Sequence, residues 1–448
     1  MNLSTQQLSL YEFEIFKQFS SHDILPIANQ WKDKILSNTS AIDVQITGEL
    51  RRGKASLSHI DLVVSTDNIP LTINEICGLT GTFTIKTKSR NFLEILVKNK
   101  LIVLVWLTIP SEFPFAVLFT TGPVTHTDWL DQIAFNQNKR LSFHGCWKNK
   151  QSVQIGSEQE IYQFLGLPFI TPEIRERNFS QNASFVLSPH NLITHSDIRS
   201  DLHVHSNWSD GKNTIEEMIC AAIIRGLSSI AITDHSPLVL KPRYTNSKYF
   251  LSQHEEMDGL INKYRNQITI LKGVEVDILP DGSLDLPEVL LKSMDIVIAS
   301  LHVHLDQKKP VLTDRLIRAI ENPFVDVIGH PGGRLYPMHD IADLDWERVF
   351  KAAAFHQVAM EINSHKAHPL FDDRKVSDAV KVGVPICLNS DAHSVAMLDQ
   401  SIFGINIARR AALDKTQIIN TWSSSRLKIW LDRKKSLQRR GKELISKS

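Results

Sequence analysis

Short runs of alternating apolar and polar positions mark the first half of the chain. Ile42 to Thr47, Ile60 to Ser65, Phe92 to Val97 and Leu101 to Ile109 read as strands. Apolar positions three and four apart predict helices over Ile24 to Leu36 and Asp128 to Phe135, and Gly166-Leu167-Pro168 ends a further helix. This mixture is α+β, without a regular βαβ rhythm. Beyond residue 200 the pattern changes. Apolar runs of strand length end at His203, Thr233, Val276, Ser300, Ile328, Ile362 and Leu388. Helical patterns lie between most of them, as over Ile215 to Arg225, Tyr249 to Tyr264, Asp314 to Ile320 and Trp346 to Phe355. Seven strands with intervening helices predict an α/β fold, a distorted parallel (β/α)7 barrel, in which chemistry gathers at the C-terminal strand ends. Between the halves, Arg177 to Ser200 is rich in Asn and Ser, carries a Pro and reads as a linker.

Composition narrows the classes. The chain has 448 residues, 42% hydrophobic and 22% charged, which describes a globular protein of several domains. Fifty basic against 49 acidic residues leave a net charge of +1, so any polyanion binding must come from local patches. The last 23 residues hold nine Lys or Arg and two acidic groups. Such a run is commonly a solvated helix end, and it can also track a nucleic-acid backbone. The longest uninterrupted apolar run, Leu101 to Leu107, is too short to span a bilayer, so no membrane segment is expected. No basic stretch precedes an apolar core at the N-terminus, so no secretory signal is expected. Cys77, Cys146, Cys220 and Cys387 form no Cys-x-x-Cys pair, which argues against a disulfide framework or thiolate zinc site and fits a cytoplasmic protein.

Histidine changes the picture most. Twelve of the 18 lie after position 200, several at predicted strand ends. The seven ends carry His203-Val204-His205 followed by Asp210, then Asp234-His235, Glu275, His302, His330, Glu361-Ile362-Asn363, and Asp391-Ala392-His393. Residues i and i+2 of a strand share a face, so His203 and His205 can reach one ion, and Asp391 and His393 one pocket. Imidazole and carboxylate without thiolate suit zinc, manganese or iron.

Together DLHVHSNWSDG, AITDHS, GVEVDILPDGSLD, ASLHVH, IGHPGGR, MEINSH and NSDAHS resemble the polymerase and histidinol phosphatase (PHP) phosphoesterase domain, as found at the C-terminus of bacterial family X DNA polymerases. That resemblance implies a barrel over residues 201–435 holding two to three divalent ions, manganese or zinc. It implies His203, His205, Glu275 and Asp391 on the first ion, Glu275 bridging to a second with His302 and His330, and Asp210, His235 and His393 on the third. These nine residues are also the expected catalytic set. His304 departs from the family pattern and can add a ligand. Asp234 can orient an imidazole. Arg334, Arg315, Arg409 and Arg410 lie in family-like stretches and are candidates to hold phosphate through their guanidinium forks.

Gly48-Glu49-Leu50-Arg51-Arg52-Gly53-Lys54 with His59-Ile60-Asp61-Leu62-Val63 resembles the palm of the same polymerase family, and Thr121-Gly122 through Gly166 to Glu176 its thumb. This implies a palm over residues 1–110, a thumb over 111–178, a linker over 179–200 and a basic tail over 436–448. The family's lyase and helix-hairpin-helix segments have no counterpart in this sequence. Nucleotidyl transfer needs carboxylates to hold two magnesium ions. The family places Asp-x-Asp on one strand and a third Asp on its neighbour. Here the first position is His59, only Asp61 remains, and the third position falls at about Val105 on a strand without a carboxylate. A degenerate palm is therefore expected, without DNA polymerase activity.

The resemblance favours a hydrolase acting on DNA as a 3′–5′ exonuclease or repair nuclease. A small-molecule phosphatase of the histidinol-phosphate type is the alternative, and a non-catalytic DNA-binding accessory protein the third. DNA is the implied partner; no protein partner is implied.

Overall fold

The structure is a computed structural model. It describes residues 18–97, 100–177, 191–236, 247–333, 342–365 and 371–433. The chain forms two compact units, residues 1–189 and 190–448. The basic tail beyond 433 and Arg334 lie outside the described residues.

In the first unit, β1 (Phe19–Ser20) pairs with β3 (Ser56–Leu57). The main sheet contains β2 (Asp43–Thr47), β4 (His59–Ser65), β5 (Thr84–Lys88), β6 (Phe92–Leu96) and β7 (Ile102–Thr108), in the order β2-β4-β7-β6-β5. Only β4 and β7 run parallel within it. One face is a dry core of Ile60, Leu62, Val64, Val103 and Val105 under Ile24, Trp31, Ile35, Ile73 and Ile76. Those last five lie on helices Ser21–Asn38 and Ile69–Cys77. Ser20 caps the first helix and Asn68 the second, each accepting a backbone N–H that the helix start leaves open. The other face carries Asp61 and Val63; Val63 packs with Ala116 and Val117 of helix Phe113–Thr121. Helix Val124–Asn136, an antiparallel sheet of β8 (Lys139–Ser142), β9 (Gly145–Lys148) and β10 (Gln151–Val153), and helix Glu158–Phe164 follow.

The second unit is the expected barrel. Strands β11 (Ser200–Val204), β12 (Ser229–Ile232), β13 (Thr269–Asp277), β14 (Ile296–Ser300), β15 (Val327–Ile328), β16 (Ala359–Asn363) and β17 (Ile386–Asn389) are parallel and adjacent in chain order. A bridge between Val204 and Ala392 brings the first and last strands together. Period-two alternation sorts each strand. Leu271, Ala359 and Cys387 point into the lumen, whereas Val274, Met360 and Leu388 join the outer core with the helices. Two residues further along the same inward faces come Gly273, Glu361 and Asn389, then Glu275 and Asn363. The lumen is thus apolar where the strands begin and polar where they end. Ile419, Leu427, Trp430 and Leu431 join the apolar layer, the last three from a helix over 424–433.

The linker expectation needs correction over 191–200. Leu192 bridges to Asp414, Ile193 is buried in the outer core, and Arg199 donates its N–H to Asn420 O at 2.8 Å. An Asn- and Ser-rich composition concealed a stretch whose backbone groups are satisfied by the barrel. Residues 178–190 lie outside the described residues. Among the described residues, no helix is long and apolar enough to cross a membrane.

Candidate metal centre and the degenerate palm

The polar strand ends converge. Glu275 reaches in from β13 and is 1% exposed. Its Oε1 lies 2.9 Å from His330 Nε2 and 3.3 Å from His302 Nε2. Its Oε2 lies 2.9 Å from His235 Nδ1, 3.3 Å from His203 Nε2 and 3.5 Å from His205 Nε2. Asp391 Oδ1 stands 3.1 Å from His205 Nε2 and 3.6 Å from His203 Nε2. Asp210 Oδ1 is 3.3 Å from His393 Nε2, 3.6 Å from His235 Nε2 and 3.9 Å from His205 Nδ1. Three groupings have ligand atoms close enough for one ion: His203, His205 and Asp391; His235, Glu275 and His302; and His205, Asp210, His235 and His393. The nine expected ligands therefore meet in one pocket, with Glu275 at its centre and one oxygen towards each side.

Buried polar atoms normally have hydrogen-bond partners. Here His203 Nε2, His205 Nε2, both nitrogens of His235 and Glu275 Oε2 are buried and make no hydrogen bond. Lone pairs that face one another across about 3 Å are what a divalent cation requires, so the donor set fits metal ions held by imidazole and carboxylate. The charges are strongly coupled. Burial pushes the His203 pKa down, but the negative charges of Glu361, Asp391 and Glu275 outweigh it and hold it well above the ordinary value. Burial also opposes charge on His302 and His393, yet Glu275 with Asp277 lifts the first to about 10, and Asp210 with Asp391 the second to about 9. His205 goes the other way, to about 3, through burial and the neighbouring His235. Burial pushes Glu275 up, but the imidazoles of His203, His235 and His302 bring it well below the usual carboxylate range.

The backbone is bent to make this arrangement. Asp391 (φ 52°) and His330 (φ 25°) sit in the left-handed region that L-residues rarely adopt. Gly329, just before His330, passes so close to β14 that a Cβ there would stand 2.4 Å from Ser300 Oγ. A side chain at 329 would push His330 away from Glu275.

Several expected roles are reassigned. His304 is exposed, at φ 53°, and joins none of the three groupings. Asp234 accepts from Ser206 N–H, the Ser206 and Ser209 hydroxyls and Gln253 Nε2, so it braces the loop after β11 rather than an imidazole. Arg315 is 1% exposed and donates to the carbonyls of His304 and Ile278 and to Gln307, so it holds the loop beyond β14 and faces no substrate. Arg409 donates to Ile193 O at 2.9 Å, and Arg410 pairs with Asp373 at 3.2 Å. A charge pattern alone could not separate a phosphate clamp from a loop strut. What sequence reading missed are the acceptors behind the imidazoles: Asp277 Oδ1, 2.9 Å from His302 Nδ1, and Glu361 Oε1, 2.8 Å from His203 Nδ1. The signal was present as polar residues two apart in buried strands, Glu275/Asp277 and Glu361/Asn363.

The palm shows the opposite. His59 Nε2 is 3.1 Å from Asp61 Oδ2, and Ser58 Oγ is 2.8 Å from His59 Nδ1. Burial lowers the His59 pKa, but Asp61 and Glu49 outweigh it and raise it overall. Asp61 lies so close to Gly48 (φ 65°) that a Cβ at 48 would fall 2.0 Å from Asp61 Oδ2. The expectation at Val105 is corrected by register. Asp61 pairs with Leu104, whereas Val105 pairs with Leu62 and points into the opposite, helix-covered core. The residues of β7 on Asp61's face are Ile102, Leu104, Trp106 and Thr108, none a carboxylate. Glu49 pairs with Lys54 at 2.7 Å and Arg52 with Glu176 at 2.9 Å. Arg51 and the fully buried Arg175 both bind Glu158, at 2.6 and 2.8 Å.

Sequence comparison supplies the class. Residues 201–365 match the PHP domain family, and residues 116–176 match the DNA polymerase beta thumb family. In chain order, a polymerase-type thumb is followed by a PHP-type barrel. It is 31% identical over 417 residues to the DNA polymerase/3′-5′ exonuclease PolX of Bacillus subtilis (strain 168), covering 91% of this chain and 72% of that protein. The chain belongs to the PolX family of bacterial family X DNA polymerases. It is also 34% identical over 252 residues to a probable phosphatase of Thermoanaerobacter sp. (strain X514), covering 52% of this chain and 95% of the other. A probable phosphatase of Caldicellulosiruptor saccharolyticus is 37% identical over 205 residues, 43% of this chain and 79% of that protein.

Proposed function

We propose that the barrel is a metal-dependent phosphoesterase that degrades DNA as a 3′–5′ exonuclease. The observation that carries this is the convergence of buried, hydrogen-bond-free donor atoms on His203, His205, His235 and Glu275 in a chain of the PolX family. Two to three divalent ions, manganese or zinc, would be held by His203, His205, Asp210, His235, Glu275, His302, His330, Asp391 and His393. Ions bound there neutralise phosphate oxygens and make water acidic enough to act as a nucleophile near pH 7. The protein's own part is to hold imidazole nitrogens and carboxylate oxygens in place before the ions arrive. Asp277 and Glu361 do this for His302 and His203. Glu275 has two oxygens and would be able to serve more than one ion. Arg334, beside His330 in sequence, remains the candidate for contacting a phosphate.

The palm does not polymerise. With His59 in place of the first carboxylate and Leu104 beside Asp61, neither β4 nor β7 offers a second carboxylate beside Asp61 for two magnesium ions. The likeness of the barrel to probable phosphatases gives a compact phosphate ester as the competing substrate. One assay with manganese separates them: 3′-labelled and 5′-labelled single- and double-stranded DNA beside histidinol phosphate, with primer extension in parallel. Stepwise loss of nucleotides from the 3′ end without extension supports the proposal. Turnover of histidinol phosphate with DNA left intact overturns it in favour of a phosphatase. DNA binding without hydrolysis of either overturns it in favour of an accessory protein.

A further inference from the structure

We propose that Glu361 is a positioning residue that locks the metal-ligating face of the barrel by accepting four N–H groups at once. The inference rests on the metal reading above and concerns how the site is held ready. Glu361 is fully buried on the inward face of β16. Its Oε1 accepts from His203 Nδ1 and Asn389 Nδ2, each at 2.8 Å. Its Oε2 accepts from the backbone N–H of His330 and from Asn363 Nδ2, each at 2.8 Å.

The direction of every one of these bonds is determined by its surroundings. Asn363 uses its Oδ1 to accept the N–H of His365 at 2.8 Å, so its NH2 must face Glu361. Asn389 uses its Oδ1 to accept the N–H of Leu202 at 3.0 Å, with the same result. A backbone N–H can only donate. Three fixed donors leave an acceptor-only group as the one side chain that satisfies them, and a carboxylate is that group. With both oxygens committed as acceptors, His203 Nδ1 must carry a proton. Nε2 is then the nitrogen turned to the pocket, 3.3 Å from Glu275 Oε2 and 3.6 Å from Asp391 Oδ1, and the one that would meet an ion.

The same carboxylate reaches further ligands. Through the His330 N–H it anchors the left-handed backbone that turns His330 towards Glu275. Through Asn363 Nδ2, which also stands 3.2 Å from Asp391 Oδ2, it reaches a third ligand. Behind it, Asn389 Oδ1 accepts from Asn420 Nδ2 at 2.9 Å, and Asn420 accepts the N–H of Leu388 at 2.7 Å. The hub is thereby fastened to the segment that follows the last strand. Glu361 itself belongs to none of the groupings close enough for an ion. It touches ligands, not the reacting atoms.

Glu361→Gln tests this, because an amide keeps the shape but must turn an NH2 against at least one fixed donor. Asn363→Ala is the second variant; it deletes one donor and the link to Asp391. Full-length wild type and both variants are stripped of metal and checked by circular dichroism and melting. They are then titrated with Mn2+ and with Zn2+ by calorimetry, and the His203 tautomer is read by 15N NMR of the histidine-labelled Zn2+-loaded protein. The expected result is folded apo protein with metal affinity down about 10–100-fold in Glu361→Gln. The Nδ1–H form of His203 should no longer dominate, and Asn363→Ala should show a smaller loss of the same kind. Wild type that binds neither metal overturns the metal reading and this inference with it. Wild type that binds, with folded variants within threefold of it and an unchanged tautomer, overturns the role of Glu361 alone. Failure of both apo variants to fold also overturns it, because the network then builds the barrel rather than positioning ligands.

Discussion

Both halves of this chain gather acids and bases at strand ends, and they treat them in opposite ways. In the first unit the charges around the palm's strand ends pair within the protein: His59 with Asp61, Lys54 with Glu49, Arg52 with Glu176, Arg51 and Arg175 with Glu158. In the barrel His203 Nε2, His205 Nε2, both nitrogens of His235 and Glu275 Oε2 face one another with no hydrogen bond to quench them. A polar cluster that is internally satisfied stabilises a fold, whereas one left open at the expense of stability is a binding site awaiting its ion. The contrast is the basis for proposing one chain with the architecture of two enzymes and the chemistry of one.

The largest effect that would break this comparison is at Glu275. Glu275→Gln should lower DNA hydrolysis about 10³-fold or more, in the range that loss of a key charge-stabilising group produces. Bound metal should fall in parallel. Elemental analysis beside 3′-labelled DNA digestion checks both, and unchanged metal content would remove Glu275 from the shared-ligand role.

Next in size is the buried thumb network. Arg175→Met strands the Glu158 carboxylate with Arg51 alone and should destabilise the first unit by about 3 kcal/mol, the usual cost of breaking a buried pair. Denaturant unfolding should show that loss with metal affinity unaltered. A loss of metal binding instead would mean the two clusters are not independent.

Metal removal should act on the barrel only. An ion held at 100 times its Kd adds ~2.7 kcal/mol to the folded state. Chelation should therefore lower the melting of a metal-responsive transition and leave the palm's transition in place. A single transition that shifts as a whole would show that the units unfold together.

The smallest effect is the palm's pH dependence. The folded pKa of His59 is raised, so its pairing with Asp61 contributes stability that is fully present below the unfolded value of about 6.5 and is lost as pH rises through the folded pKa. His59→Ala should cost more at pH 6 than at pH 9, by no more than ~1 kcal/mol for a partly exposed pair. Melting curves at the two pH values read this difference. The opposite sign would mean His59 is held neutral.

Much of this was legible in order along the chain. Seven apolar runs with helices between them predicted the barrel, and polar residues at their ends predicted the pocket, because period-two alternation and the gathering of parallel strand ends are local consequences of chain geometry. His59 and the carboxylate-free Leu101 to Pro110 were the grounds for expecting a palm without two-metal chemistry. Other assignments needed partners distant in sequence. Only strand register revealed that Leu104, not Val105, stands beside Asp61. Only packing showed that Arg315 is a loop strut and that residues 191–200 belong to the barrel rather than a linker. Glu361 is the sharpest case. Its type and its position at a strand end could be read directly, but its four donors come from β11, β16, β17 and the turn after β15. A carboxylate that binds an ion and one that orients the ligands of an ion are the same residue in a sequence. Which it becomes depends on what surrounds both oxygens, and that is decided when the strands come together.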